Sequence, residues 1–137
     1  MKESINVKWN NGMAFEAEIM GYKIKMDADP EFGGMKKGPK PKLLLLVALA
    51  GCTGMDVVSL LNKMKVELSE LNIKVDGNTS EEHPKKFTRI TITYEVIGKN
   101  VDRNKVEKAV IMSQEKYCSV SATLKNSVNI NYIINIK

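Results

Sequence analysis

The sequence predicts an α+β fold, in which an antiparallel sheet packs on a long buried central helix and on a second helix. Three observations favour it: several short segments alternate apolar and polar residues as strands do, one long segment is almost wholly apolar, and another is amphipathic with helical spacing. The chain has 137 residues, of which 43% are hydrophobic and 27% charged. This is the size and composition of one globular domain, and no repeat or linker divides it, so we expect a single domain over residues 1–137.

The N-terminal segment predicts three strands, near residues 3–9, 13–20 and 22–28, because apolar and polar residues alternate along each of them. Asn10-Asn11-Gly12 is a strong turn signal between the first two strands. We therefore expect an antiparallel meander. The next segment, residues 29–41, is rich in proline, glycine and lysine and is expected to be a loop.

A long helix is predicted near residues 42–67, with Pro41 at its start, where a missing N–H costs nothing. Its first half, Leu43 to Met55, is apolar on every side, which indicates burial all round. The sheet can cover one side of this segment, and the chain offers only one other substantial helix. We therefore expect the other side to be covered by a second copy of the protein, in an intertwined homodimer.

The C-terminal half predicts two strands near residues 71–77 and 87–97, a helix near 103–118 with Asp102 as its N-cap, a short helix near 119–125, and a last strand over 128–136. The element order is therefore βββ-α-ββ-α(α)-β. Strands in neighbouring pairs with segregated helices favour an antiparallel sheet with its helices on one face.

The charge pattern gives no sign of nucleic-acid binding, although the net charge is +5. The lysines are spread along the chain, Arg89 and Arg103 are the only arginines, and the basic run at residues 36–42 has no aromatic residue between its lysines. The apolar stretch of the long helix is too short to cross a bilayer, and the N-terminus does not resemble a targeting segment. We expect a cytoplasmic protein with no membrane partner.

Cys52 and Cys118 are the two cysteines, and a reducing cytosol disfavours a permanent disulfide between them. With one histidine and no CxxC pair, a zinc site is not expected. Cys52 lies in the apolar helix, where a cysteine can simply be part of the core. Cys118 lies where one helix ends and another begins, and unpaired N–H groups at a helix start favour a thiolate. Reactive thiols and inert buried thiols both remain open.

The segments around both cysteines carry a family resemblance. Residues 38–53, GPKPKLLLLVALAGCT, and residues 116–124, KYCSVSATL, resemble the two cysteine motifs of the OsmC/Ohr family, and residues 82–87 are similar to the stretch before a central strand in that family. The resemblance implies a domain-swapped homodimer with active sites at the subunit interface. It also implies that Cys52 attacks an organic hydroperoxide, that Cys118 resolves the product as a disulfide, and that an external dithiol resets the pair without a cofactor.

The sequence departs from the family in the residues that activate the first cysteine. The family has an arginine in the N-terminal half, which stabilises the thiolate, and a glutamate ten positions before the first cysteine, which holds the arginine. Here Lys42 occupies that position, and no arginine precedes Arg89. Burial and the neighbouring Asp56 are then expected to raise the pKa of Cys52. Lys42 is a candidate thiolate-activating residue, although ten helical residues span about 15 Å.

Two functions therefore remain open, with inert core cysteines as a third possibility. The first is a peroxidase of weak or altered activity. The second is a non-catalytic module that binds a small apolar or thiol-bearing ligand at the dimer interface.

Overall fold

The computed structural model describes all 137 residues, and the chain divides into two compact units, Met1–Leu45 and Leu46–Lys137. The first unit holds a small sheet, a loop with a 3-10 turn at Pro30–Phe32, and the first residues of the long helix, and the second holds a larger sheet and the rest of the helices. The prediction of a single domain over residues 1–137 stays a prediction.

The first unit contains the predicted antiparallel meander. Its strands are β1 (Asn6–Trp9), β2 (Phe15–Ile19) and β3 (Tyr22–Met26), with β2 in the centre. Asn11 and Gly12 both have positive φ, as a tight turn between strands requires. The three strands are confirmed, and each is shorter than predicted.

The loop after β3 is organised around a buried carboxylate that the sequence did not reveal. Asp27 is 3% exposed and accepts hydrogen bonds from the backbone N–H groups of Ala28, Met35 and Lys37. The bond from Met35 is the main reason that the pKa of Asp27 lies below its ordinary value. Asp27 directly follows Met26, the last residue of β3, at the point where the chain leaves the sheet.

The long helix, α1, covers Pro41–Lys63 and is confirmed, although it ends four residues before the predicted end. Lys65 has positive φ, and Val66 N–H donates to the Leu61 carbonyl, so a left-handed residue closes the last turn. One stripe of α1 is buried, at every fourth residue: Leu49, Thr53, Val57 and Leu61.

Burial all round is not found within a single chain. Val47 is 63% exposed and Met55 is 76% exposed, because nothing in the same chain covers that side of α1. The whole of α1 is long and apolar enough, by length and composition, to cross a membrane, whereas the prediction concerned only the apolar stretch from Leu43 to about Met55. The core helix of a soluble protein passes the same test. The absence of a membrane partner stays a prediction.

The second unit is built on a mixed sheet in the order β4-β5-β6. Its strands are β4 (Glu70–Thr79), β5 (Phe87–Ile97) and β6 (Asn129–Ile136). The β4–β5 pair is antiparallel, whereas β5 and β6 are parallel. The expected all-antiparallel sheet is therefore corrected here. The connection from β5 to β6 is a helical crossover, which returns the chain to the end at which β5 began.

The second helical segment is divided rather than continuous. It consists of α2 (Arg103–Met112), a π-helical turn (Ser113–Tyr117) and α3 (Ser119–Leu124). Asp102 caps α2 as predicted, by accepting from Asn104 N–H at 2.9 Å. The π turn is closed by Cys118 N–H, which donates to the Ser113 carbonyl at 2.7 Å. This turn separates the two helices and leaves Cys118 at the start of the second.

Candidate active site: two thiols beside a buried hydroxyl network

The structure brings Cys52 and Cys118 together within the second unit. Cys52 lies in α1 and is partly buried, whereas Cys118 is the residue before α3 and is 2% exposed. The two Sγ atoms and one carboxylate oxygen of Asp56 all lie within 4.8 Å of one another. Both cysteines are free thiols. The geometry therefore supplies a dithiol with a carboxylate beside it.

Cys118 is held as a protonated thiol. Burial is the main cause that raises its pKa to about 11, and the neighbouring Cys52 raises it as well. The backbone N–H of Ser121 donates to Sγ at 3.4 Å, and that of Val120 also acts to lower the pKa, but together they do not offset the burial. The expectation that a helix start would favour a thiolate at Cys118 was therefore wrong.

Cys52 receives the stabilisation that was expected at Cys118. Its partial burial is the largest single influence and acts to raise the pKa, but several hydrogen bonds act together against it. They come from the backbone N–H groups of Val120 and Ser119, the Cys118 thiol and the Ser119 hydroxyl, which lies 3.7 Å from Sγ. The net pKa of Cys52 is below its ordinary value, so the predicted increase was wrong.

The start of α3 therefore stabilises the Cys52 thiolate from a neighbouring element. Unpaired N–H groups at a helix start favour a negative charge, and here they face the thiol across the gap between two helices. Lys42 lies ten positions before Cys52 on α1, and its role as an activating residue stays a prediction.

A buried network of hydroxyl groups lies next to the two thiols. Thr53 Oγ1 is 2.7 Å from Tyr94 Oη and 2.7 Å from Ser113 Oγ, and Ser113 donates to Asp56 Oδ2 at 2.7 Å. Gln114 Nε2 donates to Thr53 Oγ1 and to Tyr94 Oη. The network thus joins α1, β5 and the π turn, and it ends on the carboxylate beside the cysteines.

Few features of the sequence indicated this network. The available signals were a threonine inside an apolar helix and a serine on the apolar stripe of the next helix. Thr53 contacts Tyr94 and Ser113, which lie 41 and 60 positions further along the chain. No buried polar side-chain atom in the chain lacks a hydrogen-bond partner. Cys52, Asp56 and Cys118 are close enough together that they could hold a metal ion, and the expectation of no metal and no cofactor stays a prediction.

A pocket of about 270 Å³ opens beside Asp56. Its lining residues are Asp56, Ser59, Leu60, Lys63 and Tyr117. The lining mixes charged, polar and apolar side chains, unlike the apolar pocket that a preference for alkyl hydroperoxides would suggest.

Comparison with known proteins identifies the family. The model of a family described as OsmC-like protein matches residues 34–133, which include both cysteine segments. The chain belongs to the OsmC-like family. The resemblance noted in the sequence is thereby confirmed.

Relatives of this OsmC-like chain agree with it along nearly its whole length. Protein YhfA of Escherichia coli K12 is 36% identical over 127 residues, which is 92% of each chain. The structure of a hypothetical protein from Aquifex aeolicus is 32% identical, covers 100% of this chain and 97% of its own, and superposes with a TM-score of 0.88.

An organic hydroperoxide resistance protein OsmC from Legionella pneumophila has a TM-score of 0.69 at 17% identity, over 97% of both chains. At that identity the likeness concerns the fold alone. The α+β class is confirmed by these comparisons.

Proposed function

We propose that this OsmC-like protein is a thiol-dependent peroxidase, in which Cys52 reduces an organic hydroperoxide and Cys118 resolves the oxidised product. The observation that carries the proposal is the contrast between two adjacent thiols. Their Sγ atoms lie within 4.8 Å, the pKa of Cys52 is lowered, and that of Cys118 is raised. Such a cycle needs one thiol that is nucleophilic and a second that stays protonated until the first has been oxidised.

The cycle has three steps that balance. The Cys52 thiolate attacks the outer oxygen of R–OOH, the O–O bond breaks, and the alkoxide leaves as R–OH after protonation, which gives a sulfenic acid at Cys52. The Cys118 thiol then displaces the hydroxyl as water and forms the Cys52–Cys118 disulfide. An external dithiol reduces this disulfide by thiol–disulfide exchange and is itself oxidised.

The pKa of Cys52 is lowered in this chain without the arginine that the family uses. The backbone N–H groups of Ser119 and Val120 and the Ser119 hydroxyl supply hydrogen bonds to the sulfur. Hydrogen bonds that favour the charged form lower a thiol pKa without a full positive charge. This supports an active peroxidase despite the missing ion pair, with a lower rate as the expected cost.

The working unit that we propose is a homodimer in the cytoplasm. Val47, Met55 and Val58 are exposed apolar side chains on α1, all close to Cys52 along the helix. A second copy that covers this side would remove them from water and enclose the thiols. A reducing compartment would keep both cysteines available between cycles.

Mass spectrometry of the reduced protein after exposure to cumene hydroperoxide tests the proposal. The wild type should form an intramolecular Cys52–Cys118 disulfide, whereas Cys118→Ser should accumulate a sulfenic acid that dimedone traps at Cys52. Cys52→Ser is the matched control and should show neither product. Turnover with dihydrolipoamide as reductant then measures the rate. Thiols that stay unreacted throughout would reject the peroxidase and favour the ligand-binding alternative.

A further inference from the structure

The buried hydroxyl network has only one possible direction. A hydroxyl group carries a single proton to donate, and a carboxylate carries none. Ser113 donates to Asp56, so Thr53 must donate to Ser113. The proton of Thr53 is then used, so Tyr94 must donate to Thr53. The chain therefore runs Tyr94 → Thr53 → Ser113 → Asp56, and every donor in it points toward the carboxylate.

This direction fixes the position of Asp56. Its carboxylate accepts the last hydrogen bond of the chain, from Ser113. Gln114 donates to both Thr53 and Tyr94, and its own Oε1 accepts from Ser121 Oγ at 2.9 Å. Side chains from β5, α1, the π turn and α3 thus hold the Asp56 carboxylate beside the two thiols.

Formation of the disulfide has a requirement that this acceptor meets. A thiolate, and not a thiol, attacks sulfur, yet Cys118 is buried and protonated at neutral pH. The peptide N–H groups at the start of α3 act on both sulfur atoms, but the net pKa of Cys52 is lowered whereas that of Cys118 is raised by burial. The resolving thiol therefore needs a base within reach, and the Asp56 carboxylate is within 4.8 Å of its Sγ.

We propose that Asp56 accepts the proton of Cys118 when Cys118 attacks the oxidised Cys52, and that the chain Tyr94–Thr53–Ser113 positions Asp56 for this transfer. The inference rests on the proposed function, because it assigns the base for the second step of that cycle. A separation of up to 4.8 Å is bridged by one water molecule or by a small side-chain rotation.

The step balances in protons and electrons. The Cys118 S–H bond breaks and its proton moves to Asp56, while the sulfur electron pair forms the bond to Cys52. The S–O bond of the sulfenic acid breaks, and the hydroxide that leaves takes the proton from Asp56 and becomes water. Cys118 is oxidised and Cys52 is reduced, both to the disulfide level, and Asp56 returns to the state in which it began.

Other groups that titrate or carry charge lie around Asp56. Cys52 is on the same helix, Cys118 precedes α3, Tyr94 comes from β5, and Lys63 and Tyr117 line the same pocket. Burial is the main cause that raises the pKa of Tyr94, and the negative charge of Asp56 adds to it. Tyr94 therefore keeps its proton at neutral pH and stays the donor at the head of the chain.

A reaction that needs no hydroperoxide tests this role. The reduced full-length protein is mixed with 4,4′-dithiodipyridine, which releases one pyridinethione when Cys52 is modified and a second when Cys118 displaces the group from Cys52. We expect Asp56→Asn to slow the second release on the order of a hundredfold at neutral pH. Its rate should then rise about tenfold per pH unit, because hydroxide must remove the proton instead.

The controls separate a base from a structural role. Glu115→Gln removes the same charge from an exposed position near the site and should leave both releases unchanged. Asp56→Glu restores a carboxylate and should recover part of the rate with the shallow pH dependence of the wild type. Ser113→Ala keeps the carboxylate but removes its donor, and it should give an intermediate rate.

Two outcomes would overturn the inference: a second release in Asp56→Asn with the rate and pH slope of the wild type, or an equal loss in Glu115→Gln. Circular dichroism checks that each variant is folded, and if Asp56→Asn does not fold, Asp56→Glu and Ser113→Ala decide the question. A failure of the proposed function would give a different result. If the second release depends on Asp56 but cumene hydroperoxide leaves both thiols intact, the peroxidase is rejected and the proton acceptor stands.

Discussion

Replacement of Thr53 by valine should destabilise the protein even though the two side chains have nearly the same size. Thr53 is completely buried, and its hydroxyl contacts three polar groups: Tyr94 Oη at 2.7 Å, Ser113 Oγ at 2.7 Å and Gln114 Nε2 at 3.1 Å. Valine fills the space but accepts no hydrogen bond. Tyr94 then keeps a buried O–H without an acceptor, and Gln114 loses one of two acceptors.

The size of the effect follows from these stranded donors. A buried polar group left without a partner costs about 1–3 kcal/mol, and Tyr94 is the main one, so we expect a loss of roughly 2–3 kcal/mol in the free energy of unfolding. Globular proteins have an unfolding entropy of about 2.1 cal/mol/K per residue, so this loss corresponds to a decrease in Tm of roughly 7–10 °C for a chain of this length.

Urea denaturation followed by circular dichroism measures the difference, with both proteins reduced and at the same concentration. Thr53→Ser is the matched control, because it keeps the hydroxyl and loses only a methyl group, at a cost of about 1 kcal/mol. The network would have no energetic role if Thr53→Val were as stable as the wild type. A serine variant less stable than the valine variant would refute the reasoning as well, since packing and not hydrogen bonding would then dominate.

Three further predictions concern the thiols, the apolar side of α1 and the loop carboxylate. Iodoacetamide should modify Cys52 well before Cys118 at neutral pH. The rate of modification at Cys118 should keep rising until the pH approaches its pKa of about 11. Equal rates at the two cysteines, measured by peptide mapping, would contradict the assigned roles. Val47→Lys should convert the proposed dimer into a monomer of 15.3 kDa in light scattering, while a wild type that already has this mass would exclude the dimer. Asp27→Asn should lower the urea midpoint at neutral pH. The difference in midpoint from the wild type should disappear as the pH falls below 3.8 and through the lowered pKa of Asp27. A difference that persists in acid would show that the charge of Asp27 is not its source.

The sequence predicted most elements of the fold because periodicity reports which side of an element is buried. Ile90, Ile92, Tyr94 and Val96 alternate along β5, and all four are buried as expected. Alternation says nothing about strand direction, so β6 gave no sign that it pairs parallel with β5. The π turn was equally hidden, because its backbone hydrogen bonds leave no pattern in the side chains.

The candidate site was predictable in position and not in chemistry. The motifs around Cys52 and Cys118 indicated that the two segments work together, and the structure places their sulfur atoms side by side. The relative acidity of the two thiols was assigned the wrong way round. That property depends on which sulfur is more buried and which faces the N–H groups of α3, and both are set by packing between distant segments.

The parallel pairing of β5 with β6 has a consequence for the order in which the chain can fold. β5 lies at the centre of its sheet, and one of its two neighbours, β6, is synthesised only after the whole helical crossover. During synthesis one edge of β5 therefore remains unpaired until β6 has been made, although α1 and β4 are already available. An exposed strand edge is a template for pairing with other chains. A truncation before Asn129 would make that temporary hazard permanent, and aggregation, more than loss of the thiol site, is the defect to expect from it.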